Sequence, residues 1–259
     1  MSVNGSIIGP DNPTGVYQAS GVWSLSEASE AVGAGQWPGV TDPHFSSVSL
    51  LMSFDSDFSN AGGYSGSFSA VNSAAVSSAQ TKFGAKSLDI DTGSQGVGAG
   101  PFLTTSPGSA LSQSGEYTEE VWLYPVVLSG PGDMVFGGYK QTAGALNFAM
   151  TTAGRLCVQK YGTGKILNGS SVTCVAGEWQ HVALTRDSDN LVRVFRNGVV
   201  DSTTVTEAAN VTASVAFNLG SGGTAGYGIR AFIDEYRRTE GVCRYTENFA
   251  PPITTFPTS

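Results

Sequence analysis

The sequence predicts an all-β protein, an antiparallel jelly-roll sandwich preceded by a short arm that carries one small helix. From Ser47 onward, short runs of alternating apolar and polar residues follow one another, separated by Gly-containing turns. That spacing is the signature of many short antiparallel strands. Between the runs there is no helical stretch of the roughly 10–15 residues that a parallel α/β sheet requires. Composition agrees: charged residues make up only 13% and glycines number 34, while four Trp, thirteen Phe and nine Tyr supply a core. A domain of roughly 210 residues is large for an immunoglobulin sandwich and comfortable for a jelly roll.

The first 46 residues read differently from the rest. MSVNGSIIGPDNPTGVYQ is Gly, Pro and Asn punctuation without period. In the following SGVWSLSEASEAVGAGQWP, Ser24 and Glu27 form a capping box, in which each side chain pairs an open amide of the first turn. Gly33 and Gly35 stop that helix and Pro38 closes the segment. Such a stretch buries too little apolar surface to offset its ordering entropy. It is therefore expected to dock on the main domain, a sister subunit or a larger assembly, with Trp23 and Trp37 as apolar anchors.

Strands then follow through residues 47–259. SVSLLMSF (47–54) and KSLDID (86–91) alternate. EYTEEVWLYP (116–125) places Tyr117, Glu119, Val121 and Leu123 on one face and Thr118, Glu120, Trp122 and Tyr124 on the other. DMVFGGY, ALNFAM and RLCVQKY come next, and then WQHVALTR (179–186) and LVRVFR (191–196), joined by the polar link DSDN. Val182 and Leu184, between Gln180 and Arg186, are expected to point into the sandwich opposite Val192 and Val194, with Arg193 outward. Asn197-Gly198 marks a tight hairpin, because both central residues must adopt positive φ. AFIDEYRR (231–238) is the last strong strand.

The formal charge of −8 and pI near 4.7 exclude the basic surface that nucleic-acid binding requires. No apolar run approaches the roughly 20 residues of a membrane span. The opening MSVNGSIIGPDNP has neither the basic nor the apolar region of a secretory signal. Three cysteines, an odd number, exclude a complete disulfide framework. Cys157 and Cys174 lie in neighbouring apolar runs that would allow them to face each other across strands, although all three cysteines read first as small buried hydrophobes. His44 and His181 show no zinc-type spacing with them, so no metal or other cofactor is expected.

Several of these runs resemble a known family. WQHVALTRDSDNLVRVFRNG resembles the strand–hairpin–strand signature of concanavalin A-like, laminin-G-like jelly rolls. AFIDEYRRTEGVCRYTENFAPP is similar to the closing motif of the versions found in bacteriophage virion proteins, DPHFSSVSLLMSFD to their opening strand, and TKFGAKSLDID to their second core motif. GVWSLSEASEAVGAGQWP is similar to a segment that precedes such domains in phage tail and structural proteins. The resemblance covers residues 16–256. It implies a non-enzymatic virion structural protein, a head decoration, fibre or tail component, anchored by residues 1–46 to capsid or tail proteins and sister subunits. It also implies a homo-oligomer, with a trimer favoured, and a display domain for host-surface polysaccharide. A free glycan-binding lectin module and a glycoside hydrolase of the same fold stand as alternatives.

The residues that bear on that choice are few. Family glucanases carry a Glu-x-Asp-x-x-Glu-like strand, and the nearest match is GEYTEEVW, where Glu116 and Glu120 share a face but the central Asp is missing. Asp89 and Asp91 are a second same-face pair that reads more simply as a strand end. Asp55, Asp57 and Asn60 in FDSDFSN offer three oxygen donors for calcium without the bidentate Glu of a complete loop. Tyr139, Tyr161 and Tyr227, each next to glycine in an expected turn, are the candidate sugar platforms. Asp234, Glu235 and His181 are expected to be structural, Asp234 bonding turn amides and Arg244 pairing with Asp234 or Glu235. Arg196, where the family carries an apolar residue, is expected to open its strand end to solvent or a partner.

Overall fold

A computed structural model describes residues 6–8, 22–24, 41–91, 100–105, 111, 113–129, 132–139, 142–211, 216–222 and 228–259. The chain divides into two compact units, Met1–Asp42 with Ser259, and Pro43–Thr258. Within the first, β1 (Ser6–Ile8) and β2 (Val22–Ser24) pair antiparallel. Ser24, expected to cap the arm helix, ends a strand, and Glu27 and the helix itself lie outside the described residues.

In the second unit the predicted strands form two antiparallel sheets. The strands in chain order are β3 (Val48–Met52), β4 (Ser69–Val71), β5 (Ala75–Ser77), β6 (Ser87–Asp89), β7 (Phe102–Thr105) and β8 (Tyr117–Pro125). Then come β9 (Met134–Tyr139), β10 (Leu146–Met150), β11 (Arg155–Lys160), β12 (Gly164–Thr173), β13 (Gln180–Arg186) and β14 (Leu191–Arg196). The last are β15 (Val199–Val200), β16 (Val205–Thr206), β17 (Phe217–Leu219) and β18 (Ala231–Glu240). One sheet runs β12-β11-β10-β9-β17-β7-β4. The other runs β15-β14-β13-β8-β18-β6-β5, with β16 beside β14 and β3 beside β18. Among the described residues the only helical element is a short 3-10 turn, Phe45–Ser47, and no helix is long and apolar enough to cross a membrane.

The core lies between the sheets. Leu50, Met52, Val121, Leu123, Val182, Leu184, Val192, Val194 and Ile233 meet Phe136, Phe148, Leu156, Val158, Phe217 and Leu219. Each such side chain taken from water contributes about 1.5–3 kcal/mol before entropy is counted. The alternation in β8 holds, with Tyr117, Glu119, Val121 and Leu123 inward. Thr118, Glu120 and Trp122 on the outward face are buried too, because the closing segment after β18 lies over Thr118 and Glu120 and the Lys82–Phe83 stretch lies over Trp122. Thr118 Oγ1 donates to the Val242 carbonyl, Thr185 Oγ1 to that of Tyr245, and the Phe249 amide to that of Gly198.

β18 organises this sheet. It keeps β8 on one side and exchanges β6 for β3 on the other. The exchange falls at a bulge, where the register against β8 shifts between Asp234 and Arg237 and Glu235 takes φ 50. The extra residue bends the strand, so that Ile233, Tyr236 and Arg238 face the core while Phe232, Asp234 and Arg237 face outward.

The cysteines do not face each other. Cys157, opposite Asn168, packs with Val135 and Ala149, whereas Cys174 belongs to the main core; both are free thiols, and burial pushes each up to about 12.

Candidate functional site

The outward face of the nine-stranded sheet carries the densest polar chemistry. Glu120 is fully buried there: Oε2 accepts from the Tyr245 hydroxyl at 2.9 Å and meets His181 Nε2 at 3.1 Å, while Oε1 meets Arg237 at 2.8 Å. Burial alone would raise this carboxyl, but Arg237 and His181 hold it down to about 2. Arg244 lies 4.0 Å from Glu120 and donates to Thr239 Oγ1, which corrects the expected pairing with Asp234 or Glu235. Tyr245 stacks on Phe249 at 3.6 Å, and Phe249 meets His181 and Phe195 edge-on. The closing segment thus seals Glu120 under aromatic rings.

Glu119 is buried on the opposite face, between the sheets. It pairs with Arg238 at 3.3 Å, and that guanidinium lies over the rings of Tyr117, Tyr139 and Phe217. Burial pushes Glu119 upward against the pull of Arg238. A Cβ at Gly137 would overlap Glu119 Oε1, so the glycine there makes room for the carboxylate. Glu116 precedes β8 and is half-buried. The three glutamates of GEYTEEVW therefore have three different surroundings and no common cleft.

A third acidic group borders a cleft of about 360 Å³ lined by Asp55, Asp57, Glu235 and Phe256 among others. Asp234 Oδ2 accepts from the Lys82 and Phe83 amides at 2.9 and 3.1 Å, the turn-binding role expected of it. Burial, with Asp55 nearby, raises Asp234 to about 6. Glu235, whose Oε2 accepts the Phe256 amide at 2.8 Å, is raised by burial and by Asp234 and Asp55 to about 7. The calcium trio, however, is committed to the backbone. Asn60 Oδ1 accepts from Leu51 and Gly62, its Nδ2 donates to three carbonyls, Asp57 accepts Ser59 and Asp55 accepts Ala85. Among the described residues no three His, Cys, Asp or Glu side chains are arranged to hold a metal.

The sugar-platform candidates separate. Tyr139 is 0% exposed and gives its hydroxyl to the Leu111 carbonyl, so its ring offers no face to a ligand; two neighbouring glycines marked a strand, not a turn. Tyr161 is 42% exposed in the turn after β11. Tyr227 and Trp37 lie outside the described residues, and for Trp23 only its backbone, in β2, is described. Asp91 pairs with Arg230 at 2.5 Å, and Asp89 accepts the Asp91 amide. Arg196 is half-buried and donates to Gln180 Oε1 at 2.7 Å, which closes the strand end expected to be open.

An aromatic row also stands on the outward face, at residues that the sequence motifs do not single out. Trp179, Tyr124 and Phe232 meet across neighbouring strands at the end of the outward face beyond the closing segment, with ring centroids 5.6 and 6.1 Å apart. Trp179 and Tyr124 are half-buried. The signal was available in WLYP and GEWQ, where an aromatic falls on the outward parity of each strand.

Residues 97–241 match the laminin G 3 family model, described as the concanavalin A-like lectin/glucanases superfamily. No curated protein sequence matches the chain. Among solved structures, domain 4 of AbnA, a GH43 extracellular arabinanase from Geobacillus stearothermophilus solved with arabinotriose, has a TM-score of 0.60 and 21% identity, covering 76% of this chain and 93% of that one. The binding domain of Paraclostridial Mosquitocidal Protein 1 has a TM-score of 0.57 and 10% identity, covering 75% of this chain and 49% of its own. A structure of botulinum neurotoxin type C, whose cell entry depends on two ganglioside molecules, has 0.54 and 11%, covering 76% and 48%. The matched region thus spans about half of those two chains. All three likenesses are of fold.

Proposed function

The chain belongs to the concanavalin A-like lectin/glucanase superfamily, and from that premise we propose that it is a carbohydrate-binding, non-enzymatic domain of a bacteriophage virion protein. One observation carries the choice of binding over hydrolysis. Glu120, on the strand that comes nearest to a glucanase motif, is consumed by Arg237, His181 and Tyr245 beneath the closing segment. Retaining hydrolysis needs two carboxyls about 5–5.5 Å apart beside the substrate. Glu119 lies on the other side of the sheet, inside the core. The arabinotriose of one similar structure and the gangliosides named for another support a glycan as the ligand class.

The virion placement is supported by the resemblance of the arm and of GVCRYTENFAPP to phage structural proteins. On this reading residues 1–46 anchor the domain to capsid or tail proteins and to sister subunits, a trimer being favoured. The sandwich is displayed toward host-surface polysaccharide. The test is a glycan array that includes host lipopolysaccharide and capsule, run with assays for released reducing ends. Binding without turnover is expected, and turnover that disappears in Glu116→Gln or Glu120→Gln would replace the proposal with a hydrolase. For the arm, protein lacking residues 1–40 is expected to stay folded and fail to join particles; its incorporation at the normal copy number would refute docking through the arm.

A further inference from the structure

We propose that the sugar seat is the end of the outward sheet face where Trp179, Tyr124 and Phe232 stand in a row, which no segment among the described residues closes over; this rests on the carbohydrate-binding reading. The register sets the row. Phe232 lies opposite Tyr124 on one side and Asp89 on the other, and Trp179 precedes Gln180, the partner of Leu123. Neighbouring strands lie about 4.8 Å apart, so the order Trp179, Tyr124, Phe232, Asp89 crosses the sheet over the length of a short oligosaccharide.

The rest of the face is covered. Phe249 lies against His181 and Phe195, and the Lys82–Phe83 stretch closes over Trp122, with Lys82 Nζ 4.0 Å from its ring centroid. Beyond these covers Trp179 and Tyr124 remain half-buried, with the nearly buried Phe232 as the floor beside them. Trp179 Nε1 is itself buried without a hydrogen-bond partner, so what the indole shows to solvent is carbon. Carbon faces of this kind stack on the C–H faces of sugar rings.

Polar groups border the row on the same face. Arg230 and Asp91 lie just outside β18 and β6, and their chain neighbours Ile90, Ile229 and Ala231 belong to the core, so Arg230 and Asp91 face outward. They form an ion pair at 2.5 Å and both are half-buried, as is Asp89. Sugar hydroxyls find both donors and acceptors there. Three rings edged by charges fall far short of the roughly 800 Å² per partner of a stable protein interface. The net charge of −8 disfavours an acidic polymer. The ligand class that fits is an uncharged glycan whose ring faces lie along an extended chain.

Affinity electrophoresis of the full chain through gels containing xylan, hydroxyethylcellulose, arabinan or host O-polysaccharide tests the assignment. At least one polymer is expected to retard the wild type. Trp179→Ala and Tyr124→Ala should weaken that retardation at least tenfold, and Tyr161→Ala, on the other sheet, should not change it. Trp179→Phe keeps an aromatic ring and guards against misfolding: it should retain partial binding and lose the ligand-induced change in tryptophan fluorescence. Wild-type retardation that survives both alanine variants overturns this site and leaves carbohydrate binding standing. Wild-type protein retarded by none of the four polymers overturns the uncharged-glycan assignment, and a glycan array with no hits removes the carbohydrate-binding reading beneath it.

Discussion

Glu119 and Glu120 are neighbours in sequence and opposites in circumstance. Glu120 has an imidazole, a guanidinium and a phenol at hydrogen-bond distance and stays ionised; Glu119 lies 3.3 Å from Arg238 and is pushed upward by burial. Breaking a buried pair from one side costs about 3–5 kcal/mol, because the other charge is left without a partner. Arg238→Met is therefore expected to destabilise by that amount in urea titrations, and adding Glu119→Leu should recover most of the loss. Asp234 and Glu235 give a pH dependence of definite sign. Both are raised by burial, to about 6 and about 7, so the folded chain holds protons that the unfolded chain releases. Their stabilising contribution is complete below about pH 4, the unfolded carboxylate range, and is lost as pH rises toward 7. At 1.36 kcal/mol per unit each shift corresponds to about 3 kcal/mol, and because Asp234 is one cause of the Glu235 shift the pair is worth less than the sum. Glu235→Gln should raise the melting temperature at pH 8 and flatten the profile between pH 4 and 7. An unchanged profile would show that Glu235 is not shifted.

At the scale of elements, turn chemistry was the most legible part of the sequence. Asn197 and Gly198 take φ 48 and 75, as the Asn-Gly pair requires, and Arg196 faces Val199 across the turn. What the sequence did not show is that this turn also seats the closing segment, since a Cβ on Gly198 would overlap the Phe249 carbonyl. Gly162 has a similar φ of 87 with open space around it. Gly162→Ala is expected to cost about 1–2 kcal/mol, the price of a left-handed alanine. Gly198→Ala should cost clearly more, because the strap must also move; equal melting temperatures for the two variants would contradict this. Asp201 is a second tie invisible in the sequence. Its carboxylate accepts the amides of Ser170, Ser171, Val172 and Thr203, fastening the irregular edge strand β12. Nothing in the local run VVDSTTV distinguishes this aspartate from a solvated one.

For the whole molecule, the unit Pro43–Thr258 contains the main core and the closing strap. Deleting residues 1–40 should therefore leave its melting temperature within a few degrees of the full chain, whereas deleting residues 241–259 should give aggregated protein by exposing Glu120, His181 and Phe195. Both are read by thermal melts and size-exclusion chromatography. The all-β class, the inward rows Val182/Leu184 and Val192/Val194, and the hairpin at Asn197 were legible in the chain, because strand alternation and positive-φ turns are local rules written in adjacent residues. The sequence also pointed to the family, through motifs that are continuous in the chain. Long-range packing sets the rest: Tyr139 is core, Arg186 is buried with its donors on the carbonyls of Gly115, Ala209, Glu207 and Gln113, Glu120 is sealed, and Trp179 and Tyr124 remain half-buried beside Phe232. Each of these depends on what segment distant in sequence covers a given sheet face. Period-two alternation tells which side a residue takes, and long-range packing alone tells whether that side is water or protein.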